Sequence, residues 1–350
     1  MDTNLNKIDK MTIKKILHIL YQGDSLNKTQ TAQLMHSIIH KQLSPIQITA
    51  ALISMKIQGE TIEEIVGSAR TLLTYSKPCF KPNSLFADIT GTGGDGKHTI
   101  NISTASALVA STCNVKIIKH GNYTISGLSG SMDFLTLYNI DSTNKINQNL
   151  KNFTELGICF LCASEYYSIF KDIQYIRKQL NTPTLFNIIG PLINPARPPF
   201  ALIGVYKKEL LFPVAQALKQ LNYNRAIVVH GDGIDEVSLH HSTTVLELYD
   251  DGRISDYTVT PEDFGLHTHP IQELYCDSKQ TAYNSIINIL QGKGKPSHME
   301  TVAANVALLL KLFGQNDLRL NASNALNQMY NGEPYKKLLS LSRLNNNIIS

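Results

Sequence analysis

The sequence predicts an α/β protein in which a small helical module precedes a larger part built on a mostly parallel central sheet flanked by helices. Three observations support this class. The first eighty residues have helical periodicity and helix caps, the rest alternates short apolar runs with helical patterns, and a Pro-containing linker separates the two. The chain has 350 residues, 43% of them hydrophobic, which suffices for the core of one large domain or two moderate ones.

The N-terminal module begins with an amphipathic helix. Ile13, Ile16, Leu17 and Leu20 recur at helical spacing before Gly23, which can end a helix in the left-handed conformation. Three capping boxes then predict the starts of three further helices. The boxes are Asn27 with Gln30, Ser44 with Gln47, and Thr61 with Glu64.

The pattern changes after the linker from Pro78 to Pro82. The runs LFADIT, VKIIKHG, ICFLCA and AIVVHGDG predict strands, and STASALVASTC has the spacing of a connecting helix. We therefore expect a helical domain at residues 1–80 and an α/β domain at 81–350. A helical and then Pro-rich stretch, IFKDIQYIRKQLNTPTLFNIIGPLINPARPP, interrupts the second part, and we expect it to leave the sheet and contact the N-terminal helices.

Composition favours a soluble cytoplasmic protein that binds small anionic molecules. The net charge of +4 is too weak to indicate nucleic acid. No apolar run approaches the roughly 18 residues of a membrane span, and the N-terminus does not resemble a signal peptide. Five cysteines in such a chain predict a reduced setting without disulfides. Cys159 and Cys162 lie in an apolar run, which predicts buried side chains instead of a metal pair.

A glycine loop, DITGTGGDGKHTINIST at residues 88–104, follows the first predicted strand. It matches the G-x-G-x-x-G of dinucleotide folds and most of the G-x-x-x-x-G-K-[ST] of a nucleoside-triphosphate P-loop. Both motifs combine a strand ending near Thr90, glycines whose backbone N–H groups can face an anion, and a helix beginning near Ser103. The loop therefore predicts a phosphate site.

Neighbouring residues argue against both standard motifs. A dinucleotide site requires an acidic residue about twenty positions downstream, but none lies between Asp95 and Asp133. A P-loop requires Ser or Thr after Lys97 as a magnesium ligand, and that residue is His98. Asp95 would repel a bare phosphate but suits a diphosphate that carries a divalent cation. The loop thus predicts a magnesium-bound diphosphate.

A second group of metal ligands follows the run AIVVH. Asp235 and Glu236 lie in a loop at the end of this predicted strand, where both carboxylates can turn toward one ion. Magnesium is commonly held by one or two carboxylates together with phosphate oxygens. The pair is therefore a candidate magnesium site.

Six motifs occur in order along the chain: GTGGD at 91–95, NIST at 101–104, KHGN at 119–122, SGS-x-D at 129–133, FNIIGPLINP at 186–195 and GIDE at 233–236. Together they resemble the anthranilate phosphoribosyltransferase family of tryptophan biosynthesis, over nearly the whole chain. The resemblance implies a nucleoside phosphorylase-like fold in which a segment at about 172–194 returns to the helical domain. It also implies a homodimer formed through the helical domain.

The resemblance further implies that 5-phosphoribosyl 1-pyrophosphate donates its phosphoribosyl group to anthranilate, with two magnesium ions beside the donor. The donor-binding residues that it implies are Gly91, Gly94, Asp95, Thr99, Asn101, Ile102, Ser103, Thr104, Lys119, Gly121, Asn122 and Ser131. The acceptor-binding residues are Gly91, His120, Asn122 and Arg177. The metal ligands are Ser103, Asp235 and Glu236.

This chemistry needs few protein groups. Departure of a magnesium-neutralised pyrophosphate leaves an oxocarbenium-like carbon, which a weak aromatic amine can attack when it is held close and aligned. The guanidinium of Arg177 would hold the anthranilate carboxylate. We expect no dedicated catalytic residue, and we expect His120 to orient the acceptor without being an obligatory base.

The chain departs from the family pattern on the donor side. Tyr123 replaces a usual arginine and Leu128 a usual basic residue, so two positive charges are missing. Lys97 is unusual in this loop, and we expect it to compensate in part.

Other departures lie on the acceptor side or look structural. Tyr167 with Ser168 replaces a His-Pro pair, and Ser164 replaces a proline, which we expect to alter the channel for anthranilate. Asn139 and Asn181 replace helix-ending glycines, and asparagine tolerates the left-handed conformation required there.

Two alternatives remain open. One is a phosphoribosyltransferase or phosphorylase of the same fold with another aromatic acceptor. The other is a non-catalytic nucleic-acid-binding relative, which would be expected to lose the donor loop and carry a strongly basic surface. This sequence retains the loop and has a net charge of only +4.

Overall fold

The structure is a computed structural model that describes residues 9–124 and 130–346. Its strands are β1 Ala87–Gly91, β2 Ile117–Gly121, β3 Ile158–Cys162, β4 Phe200–Gly204, β5 Arg225–His230, β6 Thr243–Leu248 and β7 Ile254–Val259. Its first eight α-helices are α1 Lys10–Tyr21, α2 Lys28–Ile39, α3 Pro45–Gln58, α4 Ile62–Thr74, α5 Ile102–Ala110, α6 Ser131–Thr136, α7 Ile146–Leu156 and α8 Ala163–Tyr166. The remaining ones are α9 Ile169–Asp172, α10 Gln174–Leu180, α11 Leu185–Ile189, α12 Leu211–Gln220, α13 Lys279–Leu290, α14 Pro296–Lys311, α15 Leu318–Tyr330 and α16 Glu333–Asn346.

The four N-terminal helices form where the caps predict them. In α1 the four predicted apolar residues are buried, and Gly23 follows the helix with a φ of 85°. Each of the three capping boxes is complete: the cap side chain accepts the N–H three residues later, and the side chain at that residue accepts the N–H of the cap. Glu64 also accepts the backbone N–H of Leu26 at 3.0 Å, so one carboxylate joins the starts of α4 and α2.

Seven strands form one sheet in the order β3-β2-β1-β4-β5-β6-β7. The first five of these are parallel, and β6 and β7 are antiparallel additions at one edge. The predicted mostly parallel sheet is therefore confirmed. The sequence pattern did not single out β4, β6 or β7. In β7 polar and apolar residues are mixed along a half-exposed edge, so no apolar run marks it.

Helices cover both faces of the sheet. Helices α1 to α4, α11 and α12 share one apolar core with alternate strand residues such as Ile118 and Ile203. Helices α5 and α13 to α16 share a second core with the neighbouring residues Ile117 and Leu202. Successive strand residues point to opposite faces, so each central strand contributes to both cores. Among the described residues no helix is both long and apolar enough to cross a membrane.

The stretch between β3 and β4 contacts the N-terminal helices. Helix α10 packs against α3, and α11 packs against α3 and α4. The ammonium of Lys56 on α3 donates to the hydroxyl of Thr182 at 2.7 Å and to the carbonyl of Pro183 at 2.8 Å. The predicted left-handed conformations are confirmed, with φ values of 52° at Asn139 and 45° at Asn181. The domain boundaries at residue 80 and at 172–194 stay predictions.

The cysteines behave as the sequence predicts. All five are free. Cys159 and Cys162 are fully buried in β3, and Sγ of Cys162 also lies 3.2 Å from Oγ of Ser164.

Candidate active site

A cavity of about 890 Å³ lies at the carboxyl ends of β1, β2 and β5. Doubly wound sheets bind ligands at this edge, where the connections after adjacent strands diverge. The glycine loop forms one wall, the turn after β2 a second, and the stretch from Arg177 to Pro191 faces them. All the predicted site residues line this cavity except Thr104. The roles assigned to these residues stay predictions.

The glycine loop is confined between two other segments. An added Cβ at Gly91 would lie 2.2 Å from Oδ2 of Asp235, so the carboxylate loop can rest directly on the end of β1. Gly94 has a φ of +83°, and an added Cβ there would lie 2.7 Å from Cγ of Pro183. Oδ2 of Asp235 accepts the N–H of Gly93 at 2.6 Å. The glycines therefore allow a close approach that any side chain would prevent.

Three carboxylates converge beside this loop. Burial, followed by the charge of Asp95, raises the pKa of Asp235 to about 7, and the two side chains are hydrogen-bonded to each other. Burial and then Asp235 raise the pKa of Glu236 above its usual range. Carboxylates held this close must share a proton or a cation. Their oxygen donors fit a divalent cation such as magnesium, which can take the place of the shared proton.

Buried positive charge faces the same carboxylates. The ammonium of Lys119, only 1% exposed, donates to the Ile89 carbonyl and to Oγ of Ser103, the latter at 3.0 Å. Burial lowers the pKa of Lys119, while neighbouring carboxylates oppose that shift. The backbone N–H of Ser103, in the first turn of α5, donates to Glu236. Lys119 and the start of α5 therefore fix one side of the acidic group.

Thr104 lies behind the cavity. Its backbone N–H donates to Oδ1 of Asn101 at 3.1 Å, which caps α5. Its hydroxyl donates to Oγ of Ser131 at 2.8 Å, and the side chain is fully buried. Thr104 therefore contacts Ser131, which lines the cavity, and its predicted donor contact stays a prediction.

Arg177 stands on α10 across the cavity from the glycine loop. Its Nη2 donates to Oδ1 of Asn187 at 3.1 Å, and its guanidinium lies 6.0 Å from the ring centre of Phe186. Burial lowers the pKa of Arg177 to about 10, so it is still charged at neutral pH. Nδ2 of Asn187 donates to the carbonyl of Thr92 at 3.2 Å, which ties the arginine to the glycine loop.

Asn187 and Asn194 are two positions whose roles were not predicted. Both belong to the motif FNIIGPLINP, which was the available signal. Asn194 is buried, and its Nδ2 donates to Asp88 on β1 at 2.9 Å and to the carbonyl of Ile118 on β2 at 2.8 Å. Asn194 therefore joins β1 and β2, two of the strands whose ends line the cavity. The motif indicates the family, but only the folded chain shows which strands it joins.

His120, the residue before the last in β2, has an uncharged ring. Burial, and to a lesser extent the charge of Lys119, lowers its pKa to about 3. A hydrogen bond with the backbone of Gly190 acts in the opposite direction but does not outweigh them. Within the described part of the chain its Nε2 has no hydrogen-bond partner. The ring of Tyr167 lies behind it at 6.0 Å between centres, and the Tyr167 hydroxyl donates to the carbonyl of Ile193. His120 can therefore orient a ligand, whereas so low a pKa makes it a poor base at neutral pH.

Some of the positions that depart from the family pattern line a cavity, and others do not. Lys97 and Tyr123 line the cavity, and Tyr123 is 44% exposed. Ser164 lines a second cavity of about 330 Å³ that also borders Tyr123. Tyr167 is buried, so its ring can affect an acceptor only through the groups in front of it. Leu128 lies outside the described residues.

Two family models match the chain. One is described as the glycosyl transferase family, helical bundle domain, and matches residues 14–76. The other is the glycosyl transferase family, a/b domain, and matches residues 83–335. Among curated proteins, the anthranilate phosphoribosyltransferase of Blochmanniella pennsylvanica (strain BPEN) is 58% identical over 330 residues, 94% of this chain and 96% of that protein. The enzyme of the same name from Serratia proteamaculans (strain 568) is 48% identical over 94% of this chain and 99% of that protein.

Solved structures agree with this fold. The crystal structure of anthranilate phosphoribosyltransferase from Thermus thermophilus aligns with a TM-score of 0.86 and 30% identity over 95% of this chain and 99% of that chain. The Saccharomyces cerevisiae enzyme in complex with PRPP and Mg aligns with a TM-score of 0.87 and 24% identity over 97% of this chain and 99% of that chain. The predicted architecture, a small helical domain beside a large α/β domain, is confirmed by these matches.

Proposed function

The chain belongs to the anthranilate phosphoribosyltransferase family, and on that premise we propose that it transfers the phosphoribosyl group of 5-phosphoribosyl 1-pyrophosphate to the amine of anthranilate. The products are N-(5-phosphoribosyl)anthranilate and pyrophosphate, and the reaction is the second step of tryptophan biosynthesis from chorismate. The observation that carries the proposal is 58% identity over 94% of the chain to a protein of that name. The cavity supports it, because the glycine loop, the carboxylates and Arg177 all line it.

The donor would bind on the side of the cavity that the glycine loop forms. The glycine loop and the first turn of α5 line this side, where backbone N–H groups suit an anionic ligand, and the ammonium of Lys119 donates to Ser103 there. Asp95, Asp235 and Glu236 would hold magnesium, which when bound neutralises the charge that builds on the departing pyrophosphate. A second ion, with Ser103 among its ligands, is part of the same proposal.

The acceptor would bind on the opposite side of the cavity, beside Arg177. Arg177 would form a charge-assisted pair with the anthranilate carboxylate, and its bond to Asn187 fixes the direction of the guanidinium. Asn122 and the uncharged ring of His120 lie on the wall between the two binding regions. Held there, the amine faces the ribose carbon, and positioning supplies most of the catalysis. No dedicated catalytic residue is part of the proposal.

The test is a turnover assay with the full-length protein. Anthranilate fluorescence should fall only when donor and magnesium are both present, with one pyrophosphate released per anthranilate consumed. Chelation of magnesium should abolish turnover, and Asp235→Asn combined with Glu236→Gln should weaken the response to added magnesium. Turnover of another aromatic amine or base in preference to anthranilate would contradict the proposed acceptor. Salt-sensitive DNA binding without donor binding would favour the non-catalytic alternative.

We also propose a homodimer formed through the helical domain. Ile46 and Ile57 on α3 are each 80% exposed, and eleven residues of helix bring them almost to the same side. Half-buried Ile53 lies between them on this apolar stripe, which suits contact with a second copy. Ile46→Lys with Ile57→Lys should convert a dimer to a monomer in sedimentation velocity, and an unchanged sedimentation coefficient would contradict this surface. A cytoplasmic location and the absence of a nucleic-acid partner stay predictions.

A further inference from the structure

Two histidines and a glutamate converge apart from the cavity. Nδ1 of His267 lies 2.9 Å from Oε1 of Glu300, and Nε2 of His269 lies 3.0 Å from Oε2 of the same carboxylate. One ligand atom from each of the three residues lies within 4.8 Å of the other two. Each imidazole therefore turns one nitrogen toward one oxygen of the Glu300 carboxylate.

The backbone holds these side chains in place. The N–H of His267 donates to Oε2 of Glu300 at 2.8 Å, and the N–H of His269 donates to the carbonyl of Leu239 at 2.9 Å. Glu300 projects from α14, a sixteen-residue helix whose other residues are mostly buried. The side chains of His269 and Glu300 are only 16% and 12% exposed, whereas that of His267 is 82% exposed. His269 and Glu300 are thus enclosed by the protein, whereas His267 faces solvent.

The donor atoms determine which cation fits. Imidazole nitrogens favour Zn²⁺, Cu²⁺ and Ni²⁺, whereas magnesium prefers oxygen ligands. Zinc takes histidine nitrogen at about 2.0–2.1 Å and carboxylate oxygen at about 2.0–2.2 Å, which places tetrahedral ligands roughly 3.3 Å apart. The two nitrogen–oxygen separations of 2.9 and 3.0 Å, one to each carboxylate oxygen, need to lengthen by only a few tenths of an ångström, and one nitrogen of each histidine already lies within 4.8 Å of the other. Water at the exposed side of His267 would complete the four positions.

We propose that His267, His269 and Glu300 form a binding site for a divalent transition-metal ion of the zinc type, separate from the magnesium site of the reaction. The chain beyond His269 shows what the ion would stabilise. The carbonyl of Leu274 accepts the N–H of Ile100 at 2.9 Å, and the N–H of Cys276 donates to the carbonyl of His98 at 2.7 Å. An ion that joins this segment to α14 therefore stabilises the support of the glycine loop.

The test uses full-length protein without a polyhistidine tag, stripped of metal and kept in excess magnesium. Cobalt(II) serves as a spectroscopic probe for zinc. We expect one equivalent to bind with visible absorption bands of a four- or five-coordinate ion, and zinc to displace it. His267→Gln and Glu300→Gln should each weaken cobalt and zinc binding roughly tenfold or more, because each removes a ligand. His18→Gln, which alters an exposed histidine on α1, should leave the affinity unchanged.

A thermal measurement distinguishes this site from a simple ion pair. Zinc should raise the melting temperature of the wild-type protein, because it binds only the folded state. The increase should disappear in His267→Gln. Because the side chain of His267 is exposed, this substitution should not disturb folding, so misfolding would not explain the loss. Equal cobalt affinity in wild type and both site variants would overturn the proposal. Displacement of the bound cobalt by magnesium would overturn it as well.

Discussion

Arg177 is the residue whose substitution should separate acceptor binding from donor binding. Its guanidinium is held by Asn187 at 3.1 Å and is still charged despite burial. Arg177→Lys keeps the charge but loses the planar pair of donors that suits a carboxylate. We expect the KM for anthranilate to rise roughly 10- to 100-fold, the loss expected for hydrogen bonds to a charged group.

Steady-state kinetics with each substrate varied in turn would measure this effect. Gln179→Ala, an exposed change on the same helix, is the matched control and should alter neither KM. An equal rise in both KM values for Arg177→Lys would mean that the arginine supports the cavity as a whole and does not hold the acceptor.

Lys97 is a second residue whose role can be isolated. Its exposed side chain lines the cavity, as does Tyr123, which stands where an arginine is usual in the family. We expect Lys97→Ala to raise the KM for the donor roughly three- to tenfold at low salt and less at high salt, because an exposed charge is screened. Lys81→Ala, at an exposed lysine outside this cavity, is the control. An unchanged donor KM at low salt would show that Lys97 does not replace the missing charges.

At the level of single residues, the sequence was most informative where a motif places a backbone group or a charge. The glycines, Asp95, Asp235 and Arg177 all line the cavity as expected. Thr104 does not line the cavity, because a hydroxyl one residue after Ser103 on a helix points about 100° away, into the contact with Ser131. Such a rotation depends on what packs against the helix, and the motif does not contain that information.

The caps of two helices provide a prediction at the level of elements. Asn27 caps α2 and Asn101 caps α5, each by accepting the N–H three residues later. Replacing either cap with alanine should lower the free energy of unfolding by about 1 kcal/mol. Only Asn101 lines the cavity, so Asn101→Ala should also reduce kcat/KM for the donor, whereas Asn27→Ala should not. Urea unfolding and initial rates on the same two preparations would test this, and equal activity in both variants would contradict a donor contact by Asn101.

Most elements with strong local signals were predictable, although β4 was not singled out despite being buried and apolar throughout. The capping boxes fix helix starts because the cap and its partner lie three residues apart in sequence. Strands β1, β2, β3 and β5 are buried on both faces and appear as apolar runs. Strands β6 and β7 extend the sheet as an antiparallel edge, and their sequences mix polar with apolar residues, so they carry no comparable signal.

At the scale of the whole molecule, the cavity depends on the topology of the sheet. Its walls come from segments near residues 91, 122, 177 and 235, which parallel strands and crossover connections bring to one edge. The order of the six motifs along the chain predicted this convergence through the family resemblance. The separations within the cavity, such as that between Asp95 and Asp235, could not be predicted, because they depend on how the loops rest on one another.

A buried ionic network joins the sheet edge to the C-terminal helices. Glu247 on β6 is fully buried, and its carboxylate accepts from Arg225 on β5 at 3.0 Å, from the hydroxyl of Tyr257 on β7 at 2.8 Å, and from Lys311 on α14. Burial alone would raise the pKa of Glu247, but the hydrogen bonds from Lys311 and Tyr257 outweigh it and lower the pKa below its usual 4.5. One carboxylate therefore joins three strands and a helix.

This network makes the stability of the whole molecule depend on pH in a defined direction. A carboxylate whose pKa is lower in the folded state stabilises that state above its unfolded pKa, and the contribution is lost as the pH falls through the folded pKa. Glu247→Gln should therefore lower the urea midpoint at pH 7, and its difference from wild type should shrink below about pH 4.5. Unfolding curves between pH 7 and pH 3.5 would measure this, with exposed Glu262→Gln as the control. A wild-type advantage that stayed constant across this range would mean that Glu247 acts through packing and not through its charge.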